Sequence, residues 1–211
     1  ASTKAFLTQV VATYLIGLYL GQAVGTLSER QIEALYNEML ELPAKIEQIL
    51  ETVEPLRELT RSFADSSSVL FLGRHVGYPV ALEGALKLKE LAYMHAEGFA
   101  GGELKHGPIA LIDQGTPVIA IVPNTHDHGL DEKMLSNIQE VRARGAKVIA
   151  IAAEGIEIPG AAHVIRIPSA PQLLQPVLAT VPLQVFAYEM AVTRGNDVDQ
   201  PRNLAKSVTV E

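Results

Sequence analysis

The stretch Val-Leu-Phe-Leu-Gly at residues 69–73 is a short, uninterrupted apolar run that follows the polar segment 64–68. A run of this kind is typical of a β-strand buried on both faces of a sheet. Further strands are predicted at 117–122, 147–152 and 163–167, and helices at 79–98, 130–144 and 172–194, the last kinked near its prolines. This alternation predicts an α/β fold, a three-layer αβα sandwich with a mostly parallel sheet that helices cover on both sides.

Upstream of this strand the sequence predicts only helices. Residues 29–64 contain two amphipathic runs separated by Pro43, which indicates a helical hairpin or linker. Residues 5–27 carry no charge, and Gly17, Gly21 and Gly25 recur at the four-residue spacing of packed membrane helices. The run is long enough to span a bilayer, but polar side chains interrupt it and no basic cluster follows. The pattern leaves two interpretations open, a membrane span or a helix buried in a soluble core or dimer contact.

Composition excludes several classes of protein. Hydrophobic residues make up 48% of the 211 residues, charged residues 19%, and the net charge is −7. Such a chain can bury a core and does not match intrinsic disorder. A non-specific nucleic-acid binder is not expected, because phosphate neutralisation needs clustered Lys and Arg. The absence of cysteine excludes disulfides, thiolate metal sites and a cysteine nucleophile within this chain.

The helix after the first strand carries a stripe of ionisable groups. At 100° per residue, Glu83, Lys87 and Glu90 fall within about 60° of one another, whereas Lys89 points away. A surface ion pair is the simplest interpretation of this spacing. The alternative is a partly desolvated site, in which a carboxylate with a raised pKa could abstract a proton and the lysine could stabilise the charge that develops.

The segment 101–108 places Glu103, Lys105 and His106 between glycines, on what is predicted to be a loop. Histidine titrates near neutral pH and can move protons, but a polar surface turn would show the same pattern. The loop 74–77 between the first strand and its helix is expected to form one wall of a substrate pocket, although it matches no nucleotide-binding motif. The segment 126–128 has two histidines but is predicted to be a solvated loop, so no metal site is expected.

Three segments, 82–90, 102–108 and 197–211, closely resemble the isomerase half of the glutamine–fructose-6-phosphate amidotransferase family, and the start of the chain at 1–6 resembles it too. The resemblance extends over essentially the whole chain and is most specific in the last fifteen residues. It implies a sugar-isomerase (SIS) fold with three parts. Residues 1–65 would be the last helix of a first SIS subdomain plus a helical connector, 66–195 the second SIS subdomain, and 196–211 a C-terminal catalytic tail.

The resemblance also implies roles for individual residues. Fructose 6-phosphate would be opened, aminated at C2 and isomerised to glucosamine 6-phosphate, without a metal or an organic cofactor. Glu90 would be the base that moves a proton between C1 and C2, His106 the ring-opening group, and Lys206 the tail amine that forms a Schiff base with the sugar carbonyl. The implied substrate-binding residues are Glu83, Lys87, Arg202 and Ala205.

The implied assembly is a cytoplasmic homodimer in which His106 serves the active site of the neighbouring subunit. The resemblance favours a buried helix at 5–27 over a membrane span. The family also has an N-terminal glutaminase domain and, in its first SIS subdomain, a phosphate-binding loop, and neither the domain nor the loop is recognisable in this sequence. We therefore expect a fragment of a longer enzyme that is inactive, or nearly so, by itself.

Two other functions stay open. One is a related SIS enzyme, a deglycase that acts on fructosamine phosphates in the reverse sense. The other is a SIS module that binds a sugar phosphate without catalysis. The tail sequence favours the synthase over the deglycase, and the combination of Glu90, His106 and Lys206 argues against a pure sensor, which needs no proton shuttle.

Overall fold

A five-stranded parallel sheet lies at the centre of the described part of the chain, which in this computed structural model comprises residues 1–122 and 128–204. Its strands are β1 (Ser68–Gly73), β2 (His95–Ala100), β3 (Pro117–Val122), β4 (Lys147–Ala153) and β5 (His163–Ile167). They lie in the order β2-β1-β3-β4-β5, and each neighbouring pair is parallel. The order reverses between β1 and β3, and in open parallel sheets ligands bind beside the carboxyl ends of the strands at such a point.

Helices cover both faces of the sheet, as the alternation of strands and helices predicts. The helices are α1 (Lys4–Val24), α2 (Glu29–Leu40), α3 (Leu42–Glu51), α4 (Glu54–Phe63), α5 (Gly77–Ala92), α6 (His128–Arg142) and α7 (Gln175–Thr193). Two short 3₁₀ turns, Leu104–His106 and Pro108–Leu111, connect β2 to β3. The α/β fold class predicted from the sequence is confirmed.

The strands distribute their side chains between two apolar clusters because successive residues point to opposite faces. Leu70 and Leu72 of β1 pack in the cluster that contains Ile138 of α6. Phe71 packs in the other cluster, which contains Leu88 of α5. The second cluster extends through α7 into α4, so the helical segment before β1 shares the core of the sheet.

The sequence predicted four strands, and the prediction missed β2. The helix expected at 79–98 ends at Ala92, because Tyr93 adopts a left-handed backbone conformation with φ of 53° that cannot continue a helix. The chain then pairs along the outer edge of β1, from Ser68 with His95 to Gly73 with Ala100. Only one of the six residues of this edge strand is fully buried, so it lacks the continuous apolar run that marks the other strands.

The helical segment at 29–64 also differs from the prediction. It forms three helices rather than two, because the expected second helix is interrupted after Glu51 and a new one begins at Glu54. The first of the three helices is capped by Ser28, whose side chain accepts a hydrogen bond from the backbone N–H of Gln31, while the Gln31 side chain accepts one from the backbone N–H of Ser28. The division of the chain at residues 65 and 195 stays a prediction.

The expectation that residues 5–27 form a buried helix is wrong for this chain. The helix forms as α1, but none of its residues is fully buried. One side packs through partly buried residues such as Tyr14 and Leu18, while Ile16 is 58% and Tyr19 is 69% exposed. By length and composition alone, α1 and α7 would both pass as membrane spans, and α7 is the one that lies mostly inside the core.

Candidate active site

Helix α5 carries the predicted stripe of ionisable groups. It begins at the carboxyl end of β1 and ends at the amino end of β2, with its apolar side packed on α7. The close approach depends on Gly84, because a Cβ atom there would lie 2.7 Å from Cδ1 of Leu183 and 3.0 Å from Cε1 of Phe71. The packing fixes the rotation of α5 about its axis and therefore the direction of the polar stripe.

The three charged groups of the stripe are largely withdrawn from water. Lys87 is only 2% exposed, and the side chains of Glu83 and Glu90 are 11% and 22% exposed. The Lys87 Nζ atom donates a hydrogen bond to Oε2 of Glu90 and lies 3.5 Å from Oε1 of Glu83. A surface ion pair would be solvated, so this geometry favours the alternative interpretation of a desolvated site in which one lysine holds two carboxylates.

The two carboxylates differ in their surroundings. Burial raises the pKa of Glu83 above its usual 4.5, and this effect outweighs the opposing attraction of the Lys87 ammonium group. Oε1 of Glu83 is buried without a hydrogen-bond partner among the described groups. Glu90 receives the direct hydrogen bond from Lys87 and is the more exposed of the two. Glu90 is therefore the carboxylate that a bound molecule can reach.

The C-terminal segment is attached to the same end of α5 by Tyr93. The Arg202 guanidinium lies over the Tyr93 ring, 4.2 Å from its centroid, and the backbone N–H of Arg202 donates to the tyrosine hydroxyl at 2.8 Å. A cation over an aromatic face is attracted by the ring quadrupole. The contact brings the predicted tail residue Arg202 to the predicted helix residue Glu90. Ala205 and Lys206 lie outside the described residues.

Glu90 and the C-terminal segment border a cavity of about 470 Å³. The residues around it come from α5, the start of β2 and the tail: Lys89, Glu90, Tyr93, Met94, His95, Arg202, Asn203 and Leu204. Its size is within the range of small-molecule sites. Sequence reasoning did not single out Tyr93 or His95, and it set aside Lys89 because that residue points away from the charged stripe. No local sequence pattern identifies Tyr93, because its partner Arg202 lies 109 residues away. The position of His95 could not be predicted because it begins β2, the strand that the sequence did not predict.

His106 is not brought to Glu90 within one chain. It ends the first 3₁₀ turn, where its Nδ1 atom lies 2.8 Å from Oε2 of Glu103 and its side chain is 72% exposed. Glu90 lies beside the amino end of β2, whereas His106 follows the carboxyl end of that strand. A six-residue strand is roughly 20 Å long, so the two groups are too far apart to act on one sugar in the same protomer.

The loop 74–77 lies where it was predicted, between β1 and α5 at the switch point of the sheet. Arg74 points toward α6, where its Nε donates to Oδ1 of Asn137 at 2.8 Å. The loop does not reach the cavity beside Glu90 but borders a second cavity. Within the described part of the chain, no group of three or more His, Asp or Glu residues could hold a metal ion, and residues 126 and 127 of the predicted histidine loop lie outside it.

The comparisons with known proteins agree with this architecture. The SIS domain family model matches residues 62–194. The chain is 62% identical over its whole length to a glutamine–fructose-6-phosphate aminotransferase [isomerizing] of Streptomyces coelicolor, of which it covers 35%. It is also 59% identical over its whole length to the protein of that name from Corynebacterium efficiens, and covers 34% of it. The chain thus spans about a third of the length of these curated relatives.

Solved structures show the same similarity. The C-terminal domain of glucosamine-fructose-6-phosphate aminotransferase from Francisella tularensis superposes with a TM-score of 0.89 at 40% identity, over 95% of this chain and 56% of that one. A glucosamine-6-phosphate deaminase from Thermotoga maritima matches with a TM-score of 0.64 at 27% identity, over 100% of this chain and 58% of that one. The resemblance to the amidotransferase isomerase half is confirmed, and the match to a deaminase shows that the fold also serves related reactions.

Proposed function

The chain belongs to the SIS domain family, and from this premise we propose that it is the sugar-isomerising part of a glutamine–fructose-6-phosphate aminotransferase. In this proposal, fructose 6-phosphate and glutamine-derived ammonia give glucosamine 6-phosphate, in the cytoplasm and without a metal or organic cofactor. The observation that carries the proposal is that the buried Lys87 donates a hydrogen bond to Glu90 beside a cavity. Arg202, held over the Tyr93 ring, keeps the C-terminal tail at the same cavity. A module that only binds sugar has no need of a proton-transfer group held in this way.

Glu90 is the group to which we assign proton transfer. Once ammonia has replaced the C2 carbonyl oxygen, which leaves as water, the carboxylate takes a proton from C1. A C1–C2 double bond forms, and the electron pair of the C–N double bond moves to the nitrogen, which takes up a proton. Protonation of C2 by the same carboxyl group, with loss of the C1 hydroxyl proton, leaves an aldehyde at C1 and an amine at C2. Lys87 fixes the orientation of Glu90 and compensates its charge.

The tail supplies the remaining groups of this site. By resemblance, the Lys206 amine forms a Schiff base with the C2 carbonyl, whose oxygen leaves as water, and ammonia then displaces the lysine amine from that imine; Ala205 and Arg202 contact the sugar. Support comes from the anchored part of the tail, since Arg202, four residues before Lys206 in the sequence, borders the cavity beside Glu90. The Tyr93 ring holds the Arg202 guanidinium, and Tyr93, Arg202 and Glu90 all border this cavity.

We assign His106 to the opening of the sugar ring in the site of a second copy of the chain, which requires a homodimer. The separation of His106 and Glu90 along β2 supports a site shared between protomers. Mixed dimers of His106→Ala and Glu90→Ala subunits are the test, because one of their two sites would retain both groups. Recovery of part of the activity on mixing is the expected result. Dimers that form but stay inactive would contradict a shared site.

The activity assay follows formation of glucosamine 6-phosphate from fructose 6-phosphate and ammonium chloride. The chain covers 35% of the Streptomyces relative, and in the proposal the grip on the substrate phosphate and the release of ammonia from glutamine belong to the rest of such a protein. The assay therefore uses protein that contains those parts. Glu90→Gln is expected to lower turnover by about 10²–10⁴-fold, the usual contribution of a general base, with little change in sugar binding. Turnover that survives the change would refute the assignment.

A second candidate function is the reverse reaction, release of ammonia from an amino-sugar phosphate or a fructosamine phosphate. The similarity to the Thermotoga deaminase favours keeping it. The two functions differ in the direction of catalysis, so the same protein is given glucosamine 6-phosphate alone and, separately, fructosamine 6-phosphate alone, and the formation of ammonia is measured. Rapid release of ammonia with negligible synthesis would identify the second function, and absence of turnover in both directions would indicate a sugar-binding module.

A further inference from the structure

A second polar cavity, of about 350 Å³, lies at the opposite end of β2 from Glu90. It is bordered by Arg74 after β1, by Gly101, Gly102 and Lys105 after β2, and by Lys133, Ser136, Asn137 and Glu140 on one side of α6. Three of these residues are cations and one is a carboxylate, so the cavity has a formal charge of +2 in a chain whose net charge is −7. We propose that it binds a phosphorylated polyol or sugar.

Arg74 is held in position for such a ligand. Its Nε donates to Oδ1 of Asn137, which is only 4% exposed and therefore cannot move freely. No acceptor within residues 1–122 or 128–204 bonds the two terminal nitrogens of this guanidinium, so they remain available as a pair of donors. A fixed guanidinium with free terminal nitrogens is the group that best matches the geometry of a phosphate.

The two glycines after β2 make this arrangement possible. A Cβ atom on Gly101 would lie 2.5 Å from Oδ1 of Asn137 and 3.1 Å from Nε of Arg74, so any other residue would disrupt the hydrogen bond between them. Gly102 brings its backbone close to Nη1 of Arg74, 3.7 Å from where a Cβ atom would be. The absence of side chains here leaves open the space in front of the guanidinium.

The lysines supply charge, and the carboxylate supplies selectivity. Lys133 is exposed and forms no ion pair with any group that the structure describes, whereas Lys105 is paired with Oε1 of Glu140 at 2.8 Å. Oε2 of Glu140 is buried and has no hydrogen-bond partner among the described residues. A buried acceptor without a donor is costly, and a ligand hydroxyl could supply that donor. The hydroxyl of a phosphate group is part of the anion and would bring negative charge against the Glu140 carboxylate. A neutral polyol hydroxyl can instead donate to that carboxylate while the phosphate stays at Arg74, which is why we assign a phosphorylated polyol.

The test is a titration of the isotope-labelled chain, followed by the backbone amide signals of Gly101 and Gly102. The probes are glucitol 6-phosphate and inorganic phosphate. Saturable shifts of these two signals are expected, with tighter binding of the glucitol ester. Arg74→Gln is expected to weaken binding of both probes by about tenfold or more, since it removes a charge-assisted pair of hydrogen bonds. Arg30→Gln, a change of an exposed arginine on α2, is the matched control and should leave binding unchanged.

Two further variants keep the outcome decisive if Arg74→Gln is misfolded. Lys133→Gln changes only an exposed side chain and should weaken both probes several-fold. Glu140→Gln should remove the preference for glucitol 6-phosphate over inorganic phosphate. Equal binding by all variants, or shifts confined to the residues around Glu90 and Arg202, would overturn the proposal. Because Glu90 takes no part in this cavity, Glu90→Gln should leave the titration unchanged whether or not the proposed enzymatic function is correct.

Discussion

Replacement of Lys87 by methionine tests the buried charge cluster on α5. Methionine keeps the length and the apolar stem of the side chain but removes the ammonium group from between two carboxylates. Lys87 is 2% exposed, and the side chains of Glu83 and Glu90 are 11% and 22% exposed. Removal of one partner of a buried ion pair typically costs 3–5 kcal/mol, and the partial exposure of Glu90 puts the expected loss near the lower limit, about 3 kcal/mol of unfolding free energy.

The assay is urea unfolding at several pH values, with thermal unfolding as a second measure. For a chain of this size, about 3 kcal/mol corresponds to a fall in Tm of roughly 6–12 °C. The loss should be largest above pH 7 and should shrink as the pH is lowered, because protonation of the unpaired carboxyls removes the buried charge. Lys89→Met, a change of an exposed lysine on the same helix, is the control and should stay within about 0.5 kcal/mol of the original protein.

The double variant Lys87→Met, Glu83→Gln tests whether the loss comes from the unpaired buried charge. It removes one buried charge together with its partner, so it should recover much of the stability that the single change loses. The reasoning would be refuted if Lys87→Met cost less than about 1 kcal/mol, since that is the upper limit of what an exposed ion pair contributes. In that case the surface ion pair would be the correct interpretation of the stripe, and the assignment of Glu90 would lose its structural support.

Three further predictions concern the tail, the start of α5 and the pH dependence. Tyr93→Phe removes the hydrogen bond to the Arg202 backbone but keeps the ring, so proteolysis of the tail should accelerate a few-fold, and Tyr93→Ala should accelerate it further. Gly73→Ala would place a Cβ atom against the carbonyl of Gly77 and should lower the unfolding free energy by about 1–3 kcal/mol or more in urea. The raised pKa of Glu83 contributes stability that is fully present below pH about 4.5 and lost as the pH rises through its folded value, so Glu83→Gln should flatten the stability curve in that range.

The sequence was sufficient to predict the interior of the sheet. The strands β1, β3 and β4 are continuous apolar runs, and burial on both faces leaves such a segment few alternatives. The edge strand β2 was missed because it pairs on one side only and keeps polar residues such as Glu97 exposed. The signal for its start was Tyr93, whose left-handed conformation ends α5, but no local pattern marks a tyrosine for that conformation.

Helix α1 shows a different limit of sequence reasoning. An uncharged run of this length predicts a helix whose apolar side chains are buried against another surface, but composition does not identify that surface. In this chain the side with Leu18 packs on the core, and the side with Ile16 and Tyr19 is left exposed. Helix propensity is local, whereas burial depends on the surfaces that the rest of the molecule provides.

Spacing along α5 placed three ionisable groups on one side of the helix, but it could not distinguish a solvated stripe from a desolvated one. That distinction comes from contacts distant in sequence: the packing of Gly84 against Leu183 and the attachment of Arg202 to Tyr93. The same contacts explain why one chain holds only part of the proposed site. The α5 carboxylates and the tail meet at the amino end of β2, while His106 lies beyond its carboxyl end. Since both ends of a strand are fixed by its pairing in the sheet, local flexibility cannot bring His106 to Glu90, and a shared site requires a second copy.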